Sequence, residues 1–414
     1  MKFAKLSDYA LPDSNVLSGG GTNCTEKIQA VLDTAKESGG LFITVDGAFL
    51  TETLKVHSHT TLFCPNEACG FYLKDYTNAP LIKNAHFSQE ERADRDISLI
   101  GGTYNFNCKH QLHDIGEIDS DDPVIQFTHS WVFGMMFYGV YSLKVQNTVL
   151  MNQRTFAFVC GNAEQVVMEN VRIDLPDIMN AQNQDGLHFF GPSKNIVLRN
   201  ISGTAGDDFI ALAPDEFDAK SYITDVLIDG VHLNDSDQGI RLLCRGKGTL
   251  DRVIIRNVTG TYKCFGFYIN PWASPEYKEG ERYGNYGSVT IENVDLKQTE
   301  LKYPYTKAFL FRLGGIIDTV KISDVNYVNA AGEADFMQIG GDYTFFDERE
   351  GDYKTTIKNL LVENVTTSSV FPTGGIVVKS CKIDNLTVKN ADVEVENLNG
   401  KIKNLKKIKG ENNS

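Results

Sequence analysis

One feature constrains this chain more than any other. From about residue 95 onward, alternating runs rich in Val and Ile recur, each ending near an Asn, Asp or Gly. The runs read VVMENVRI, NIVLRNIS, DVLIDGVHL, RVIIRNVTG, SVTIENVDL, TVKISDVNY, LLVENVTT and LTVKNADV. Their landmark residues are Asn170, Asn200, Gly230, Asn257, Asn293, Asp324, Asn364 and Asn390, spaced 26 to 40 residues apart. A period in that range signals a stacked repeat, and alternation within each repeat signals short strands. One coil cannot bury its inward row alone, so coils must stack into a continuous core. Strong helical periodicity is absent, which disfavours helical solenoids and βαβ folds. A leucine-rich repeat would be shorter, and a propeller would need four strands per unit. The expected fold is all-β, a parallel β-helix. Its asparagines take the left-handed bend at each corner and hydrogen-bond from coil to coil.

The N-terminal part reads differently. TNCTEKIQAVLDTAKESGG starts with Thr25 as a candidate N-cap and ends at Gly39–Gly40. Ile28, Val31, Leu32 and Ala35 share one face, so the segment predicts an amphipathic helix that caps the open end of the core. A single domain is expected over 1–414: cap and first coils to about 95, main coils over 96–400, and a tail at 401–414. The tail, KIKNLKKIKGENNS, is a frayed end or the last coil. Stretches 105–125 and 271–287 break the repeat, as insertions that wall a binding face do.

Charge and cysteine usage narrow the function. A net charge of −14 argues against nucleic acid as a partner. No run of 18 apolar residues exists to span a membrane, and the first 15 residues lack the apolar stretch of a secretory leader. The eight cysteines form no metal-ligand grouping and read as reduced, mostly buried thiols. These features point to a cytoplasmic protein, or to a secreted one whose leader has been removed. No metal is expected.

Six segments can be registered as equivalent strands of successive coils: 154–160, 184–190, 207–213, 237–243, 264–270 and 307–313. Leu187, Phe189, Ile210, Leu212, Ile240 and Leu242 then point inward as a core stack. Opposite parity places His188, Arg241 and Tyr268 in one outward column, with Ala211 between the first two. Asp185 and Asp208 become equivalent, with Asp207 beside them. Three carboxylates within one or two strand spacings of roughly 4.8 Å oppose one another's ionisation. That raises at least one pKa, as a general acid requires. His188 is a candidate for substrate binding or acid/base assistance. Arg241 and Arg245, with Lys247 and Lys263, form a basic cluster suited to a carboxylate or sulfate. Arg154 lies just before the same strip. Tyr268 and Trp272 are candidate sugar platforms, whose faces bury the apolar side of a pyranose. Asp215 and Glu216 read as loop acids.

NQDG (183–186), followed by GDD (206–208) and FIAL, resembles the NTD-G and G-D-D-x-I-A pair of glycoside hydrolase family 28, the polygalacturonases. The N-terminal helix and LFITVDGAFLTETLKVHSHTTL resemble the opening of the wider pectin-lyase-like superfamily of right-handed β-helices. The resemblance implies a right-handed helix and an inverting hydrolysis run by three aspartates, with no cofactor. Asp207 would protonate the leaving glycosidic oxygen, and Asp185 and Asp208 would position and deprotonate the attacking water. Asn183 would help bind substrate as part of its motif. Two motifs are rebuilt. Gln238 stands where the family has the His of Gly-His-Gly, and Phe267-Tyr268-Ile269-Asn270 stands in place of Arg-Ile-Lys. The acids are kept while the uronate-binding groups are not, so the resemblance implies a glycoside hydrolase, not necessarily a polygalacturonase. The expected partner is an oligo- or polysaccharide, acidic or pectin-like. Two alternatives share the fold. One is a polysaccharide lyase or uronate epimerase, using Ca²⁺ on the aspartates and Arg241 or His188 as base. The other is a non-catalytic, trimeric glycan-binding spike.

Overall fold

The computed structural model describes residues 1–116, 131–178, 183–216, 221–244, 246–271, 284–300, 308–340, 355–369, 371 and 373–409. The chain forms two compact units, Met1–Asp208 and Phe209–Ser414.

In the first unit the strands pair in parallel and in order, as stacked coils require. Along one face, Lys2–Lys5 pairs with Leu41–Thr44, which pairs with Thr60–Phe63. Thr60–Phe63 pairs with Asp94–Ile100, and that strand with Met135–Gln146. Phe158–Asp174 and Ser193–Gly203 complete the face. A second face runs through Ala48–Thr51, Gly70–Leu73, Thr103–Asn105 and Val149–Met151. A third runs through Leu54–Val56, Ile82–Asn84 and the start of Met135–Gln146. It continues through the start of Phe158–Asp174 to Leu187–Phe190.

The capping helix Thr25–Asp33 lies against Leu54–Val56. Ile28, Val31, Leu32 and Ala35 are all buried, as their spacing predicts. Gln29 meets the exposed strand edge twice. Its Nε2 donates to the Lys55 carbonyl (3.1 Å), and its Oε1 accepts from the Lys55 N–H (2.8 Å). One detail differs from expectation. Thr25 is the first helical residue and not the N-cap, which is Cys24. The Thr25 hydroxyl is drawn away instead, donating to Asn23 Oδ1 at 2.6 Å and accepting from the Glu52 N–H at 2.7 Å.

The second unit repeats the parallel pattern. Tyr222–Leu242 pairs with Thr249–Ile269, followed along one face by Asn285–Gln298, Ile316–Asn329, Thr355–Ser369 and Cys381–Ala391. Lys401–Ile408 pairs with Cys381–Ala391, so the basic tail is a coil strand as far as Ile408. The other face continues from Thr249–Ile269 through Ala308–Leu313, Ala334–Gly340, Thr373–Lys379 and Val395–Asn397.

All eight corner landmarks are left-handed, with φ between 47° and 82°. Their side chains are rungs: Asn170 Nδ2 donates to Asn147 Oδ1 (2.9 Å), and Asn200 Nδ2 to Asn170 Oδ1 (3.0 Å). In the second unit Asn257 donates to Asp229, Asn293 to Asn257 and Asn390 to Asn364. Asn suits this position because its short amide tolerates the left-handed backbone and carries both a donor and an acceptor. The six predicted core residues, Leu187 to Leu242, are each at most 1% exposed. All eight cysteines are buried.

Candidate active site

The acids of the first unit come together through backbone pairing. The Gly206 N–H donates to the Gln184 carbonyl (3.0 Å), and the Gly186 N–H donates to the Asp208 carbonyl (2.9 Å). Asp185 therefore sits opposite the three residues 206–208 on the adjoining coil. The expected convergence of Asp185, Asp207 and Asp208 is present, one strand spacing apart. Gln153 adds a polar floor. Its Nε2 donates to the Asp185 carbonyl (3.2 Å), and its own carbonyl accepts from Gln184 Nε2 (2.9 Å).

The three carboxylates differ in access. Asp185 and Asp208 are 2% and 5% exposed, while Asp207 is half-buried. Asp207 Oδ2 accepts the Asn183 N–H at 2.9 Å. Asn183 has φ 66°, so its backbone turns that N–H towards the acid. A carboxylate with solvent access beside two buried ones is an unequal set, and unequal environments separate acid from base.

His188 has the parity expected of it, opposite to Leu187 and Phe189, yet is only 3% exposed. Its Nδ1 lies 2.8 Å from Asp185 Oδ2. Its ring stacks on Phe156 with centroids 4.4 Å apart and packs on Phe190 at 4.7 Å. The strand register also differs from expectation. Phe158 pairs with Leu187, whereas the expected register set it beside His188. The slip of one residue sends Phe158 into the core, because one step reverses every side chain of the strand. Phe156 lies before that strand begins, outside its alternation, and packs on the imidazole.

In the second unit, Arg241 and Tyr268 are paired residues of neighbouring strands, as expected. The Arg241 guanidinium lies 5.0 Å from the Tyr268 ring centroid. The next strand brings a residue that sequence reasoning missed. Arg312 pairs with Tyr268, and its guanidinium lies 5.6 Å from the same ring. The segment 307–313 is also shifted by one residue from the expected register, which had put Phe311 in this column. The signal lay in KAFLFRL itself, where Phe311 suits the core and Arg312 does not. Phe311 is fully buried and stacks on Phe267.

Tyr268 is therefore held in a cation–π stack and is only 2% exposed. It packs edge-on against Phe265 (4.9 Å) and Phe309 (5.4 Å), and its hydroxyl accepts from Asn270 Nδ2 at 3.2 Å. Arg241 is 6% exposed. Gln238 is buried on the strand before Phe265, and its Oε1 has no hydrogen-bond partner among the described residues.

The remaining candidates separate. Arg154 is half-buried and donates from Nε to the Gln111 carbonyl at 3.1 Å. Its Nη1 is buried with no partner among the described residues. Arg245 and Trp272 lie outside the described residues. Lys263 is engaged by acids: Asp237 at 3.5 Å, Asp235 at 3.6 Å and Glu300 at 3.4 Å. Burial works against its ammonium, but those acids outweigh it and hold its pKa above the ordinary lysine value. Asp215 is a structural loop acid, as read. Its Oδ2 accepts the N–H groups of Gly246 (2.6 Å) and Gly248 (2.8 Å). No cluster of three or more His, Cys, Asp or Glu able to hold a metal occurs among the described residues. No helix among them is long and apolar enough to cross a membrane.

Residues 133–218, the stretch that holds all three aspartates, match the family model for Glycosyl hydrolases family 28. Solved structures align over most of the chain. A hyperthermoactive exopolygalacturonase from Thermotoga maritima is 14% identical with a TM-score of 0.55, covering 91% of this chain and 92% of that one. The tailspike of E. coli bacteriophage HK620, solved with a pentasaccharide, is 12% identical with a TM-score of 0.58, covering 95% and 71%. The A-module of mannuronan C-5 epimerase AlgE6 from Azotobacter vinelandii is 12% identical with a TM-score of 0.53, covering 99% and 100%. The fold is the right-handed parallel β-helix. At these identities the likeness is one of architecture, and an architecture of this kind hosts several chemistries.

Proposed function

We propose that this protein is a glycoside hydrolase that cleaves a glycosidic bond in an oligo- or polysaccharide by inverting acid/base chemistry. The observation that carries the reading is the meeting of Asp185 with Asp207 and Asp208 on adjoining coils, inside the stretch that matches Glycosyl hydrolases family 28. Asp207 is the acid, the role that the resemblance gives its position, and it is the one of the three open to a leaving group. Its proton goes to the leaving glycosidic oxygen as the old C–O bond breaks. Asp185 and Asp208 orient a water and take its proton as the new C–O bond forms on the opposite face of the sugar. The scheme uses no cofactor.

The proposed substrate carries acidic groups, as a pectin-like chain does. Arg241 and Arg312 are the cations proposed to meet such a group, because a guanidinium pairs with carboxylate or sulfate through two parallel bonds. Asn183, Gln238 and Arg154 are proposed to contact sugar hydroxyls. A reducing compartment is the proposed place of action, in keeping with eight buried cysteines that form no Cys-x-x-Cys or Cys/His grouping in the sequence.

A glycan-panel digestion tests the reading. The intact protein should release new reducing ends from at least one acidic glycan without added metal, and Asp207→Asn should not. An ultraviolet-absorbing unsaturated end, lost with chelator, would replace hydrolysis by lyase chemistry. A stable trimer that binds glycans and turns none over would replace it by a binding role.

A further inference from the structure

Asp185 and His188 form a buried pair that the three-aspartate scheme leaves unexplained. Their contact is 2.8 Å long, and the residues are 2% and 3% exposed. The imidazole is held on its flank by Phe156, with 7° between the ring planes, and by Phe190. The other end of the pair is held as well. The Asp185 carbonyl accepts from the Ala157 N–H at 3.0 Å and from Gln153 Nε2 at 3.2 Å. These bonds fix the Asp185 backbone beside the imidazole.

The electrostatic setting gives this pair a task. Burial and two neighbouring carboxylates, Asp207 and Asp208, favour a protonated Asp185. A base that takes a proton from water must start ionised. A hydrogen bond donated to the carboxylate favours the ionised form. Among the described residues, His113 reaches the pair through two aromatic rings. The His113 ring packs on Trp131, which in turn meets Phe156.

We propose that His188 is a positioning residue whose Nδ1–H donates to Asp185 and keeps that carboxylate ionised and aimed. It is not a sugar-contacting side chain, for a group stacked on phenyl rings and 3% exposed is badly placed to meet a sugar. The effect on turnover rests on the hydrolase reading above, whereas the hydrogen bond itself does not.

Nitrogen NMR of the full-length protein reads the tautomer without any variant. The expected result is a protonated His188 Nδ1 at neutral pH. A bare Nδ1 there would make Asp185 the donor and overturn the proposal. Two substitutions then read the consequence. His188→Phe keeps the ring stack and removes the donor, while His188→Asn keeps a donor near the Nδ1 position. On a glycan that the intact protein cleaves, His188→Phe should lower kcat about tenfold or more and move the acidic limb of the pH profile up by about one unit. KM should stay within about twofold, and His188→Asn should restore the limb. A raised KM with an unmoved limb would assign His188 to substrate binding and overturn the proposal. If no glycan is cleaved, the hydrolase reading fails, and the tautomer alone decides the hydrogen bond.

Discussion

Two sets of polar side chains recur on neighbouring coils, and they are opposites. At the corners, Asn147, Asn170 and Asn200 stack amide on amide, Asn170 donating to Asn147 and Asn200 to Asn170. At the strand starts, Asp185 meets Asp207 and Asp208, carboxylate near carboxylate. The same stacking creates both. In the first case each new rung adds a donor and an acceptor that fit. In the second it adds a charge that repels its neighbours. A repeat protein gains stability from the amide column, and the acid cluster has to be held by something else. The surroundings of Asp185 show what: a buried imidazole and a frame of backbone hydrogen bonds.

Substitutions can break this contrast, and the largest effect belongs to the acids. Asp207→Asn should lower glycan turnover by about 10²- to 10⁴-fold, the usual share of a general acid, with the melting temperature unchanged or raised. A large loss of stability with intact turnover would make the acids structural. Next comes the amide column. Asn257→Leu should cost about 2 kcal/mol in denaturant unfolding, from the strained backbone and its lost hydrogen bonds, and leave turnover alone. Asn257→Gly separates the two parts, since glycine accepts φ 58° and lacks only the amide. If both variants lose the same stability, the side-chain column is what matters.

Recognition in the second unit should show a smaller, substrate-dependent effect. Arg312→Gln or Arg241→Gln should raise KM about tenfold on an acidic glycan and leave a neutral one unaffected, the size of one charge-assisted bond. Equal losses on both glycans would point to packing on Tyr268 as their main role. The smallest effect is expected at a corner built from charge. Arg252, itself at φ 52°, pairs with Asp225 at 2.6 Å on an exposed surface. Arg252→Ala should barely change the denaturant midpoint, and less still in high salt. The amide corner should therefore outweigh the ionic one.

Much of this was legible before any coordinates. The corner residues, the inward row and the amphipathic cap follow from local rules, because left-handed backbone, strand parity and helical spacing are properties of a few adjacent residues. The meeting of the aspartates was also legible, since GDD and NQDG carry their own alignment marks. The errors have one source. Segments 154–160 and 307–313 carry no such motif, and each was set one residue out of register, which in the second case hid the Arg312 stack on Tyr268. Tyr268 and His188 looked like surface groups because parity states only which way a side chain leaves the strand. It does not state what lies above it.

The sequence alone determined that the chain would coil, where each coil would turn and which face of each strand would seek the core. Those are short-range matters of periodicity and backbone preference. Tertiary structure decided which residues, 27 to 44 positions apart in the Arg241, Tyr268 and Arg312 column, became neighbours and which polar groups were buried. Register between strands is set by the sum of packing along whole coils, so no single segment carries it.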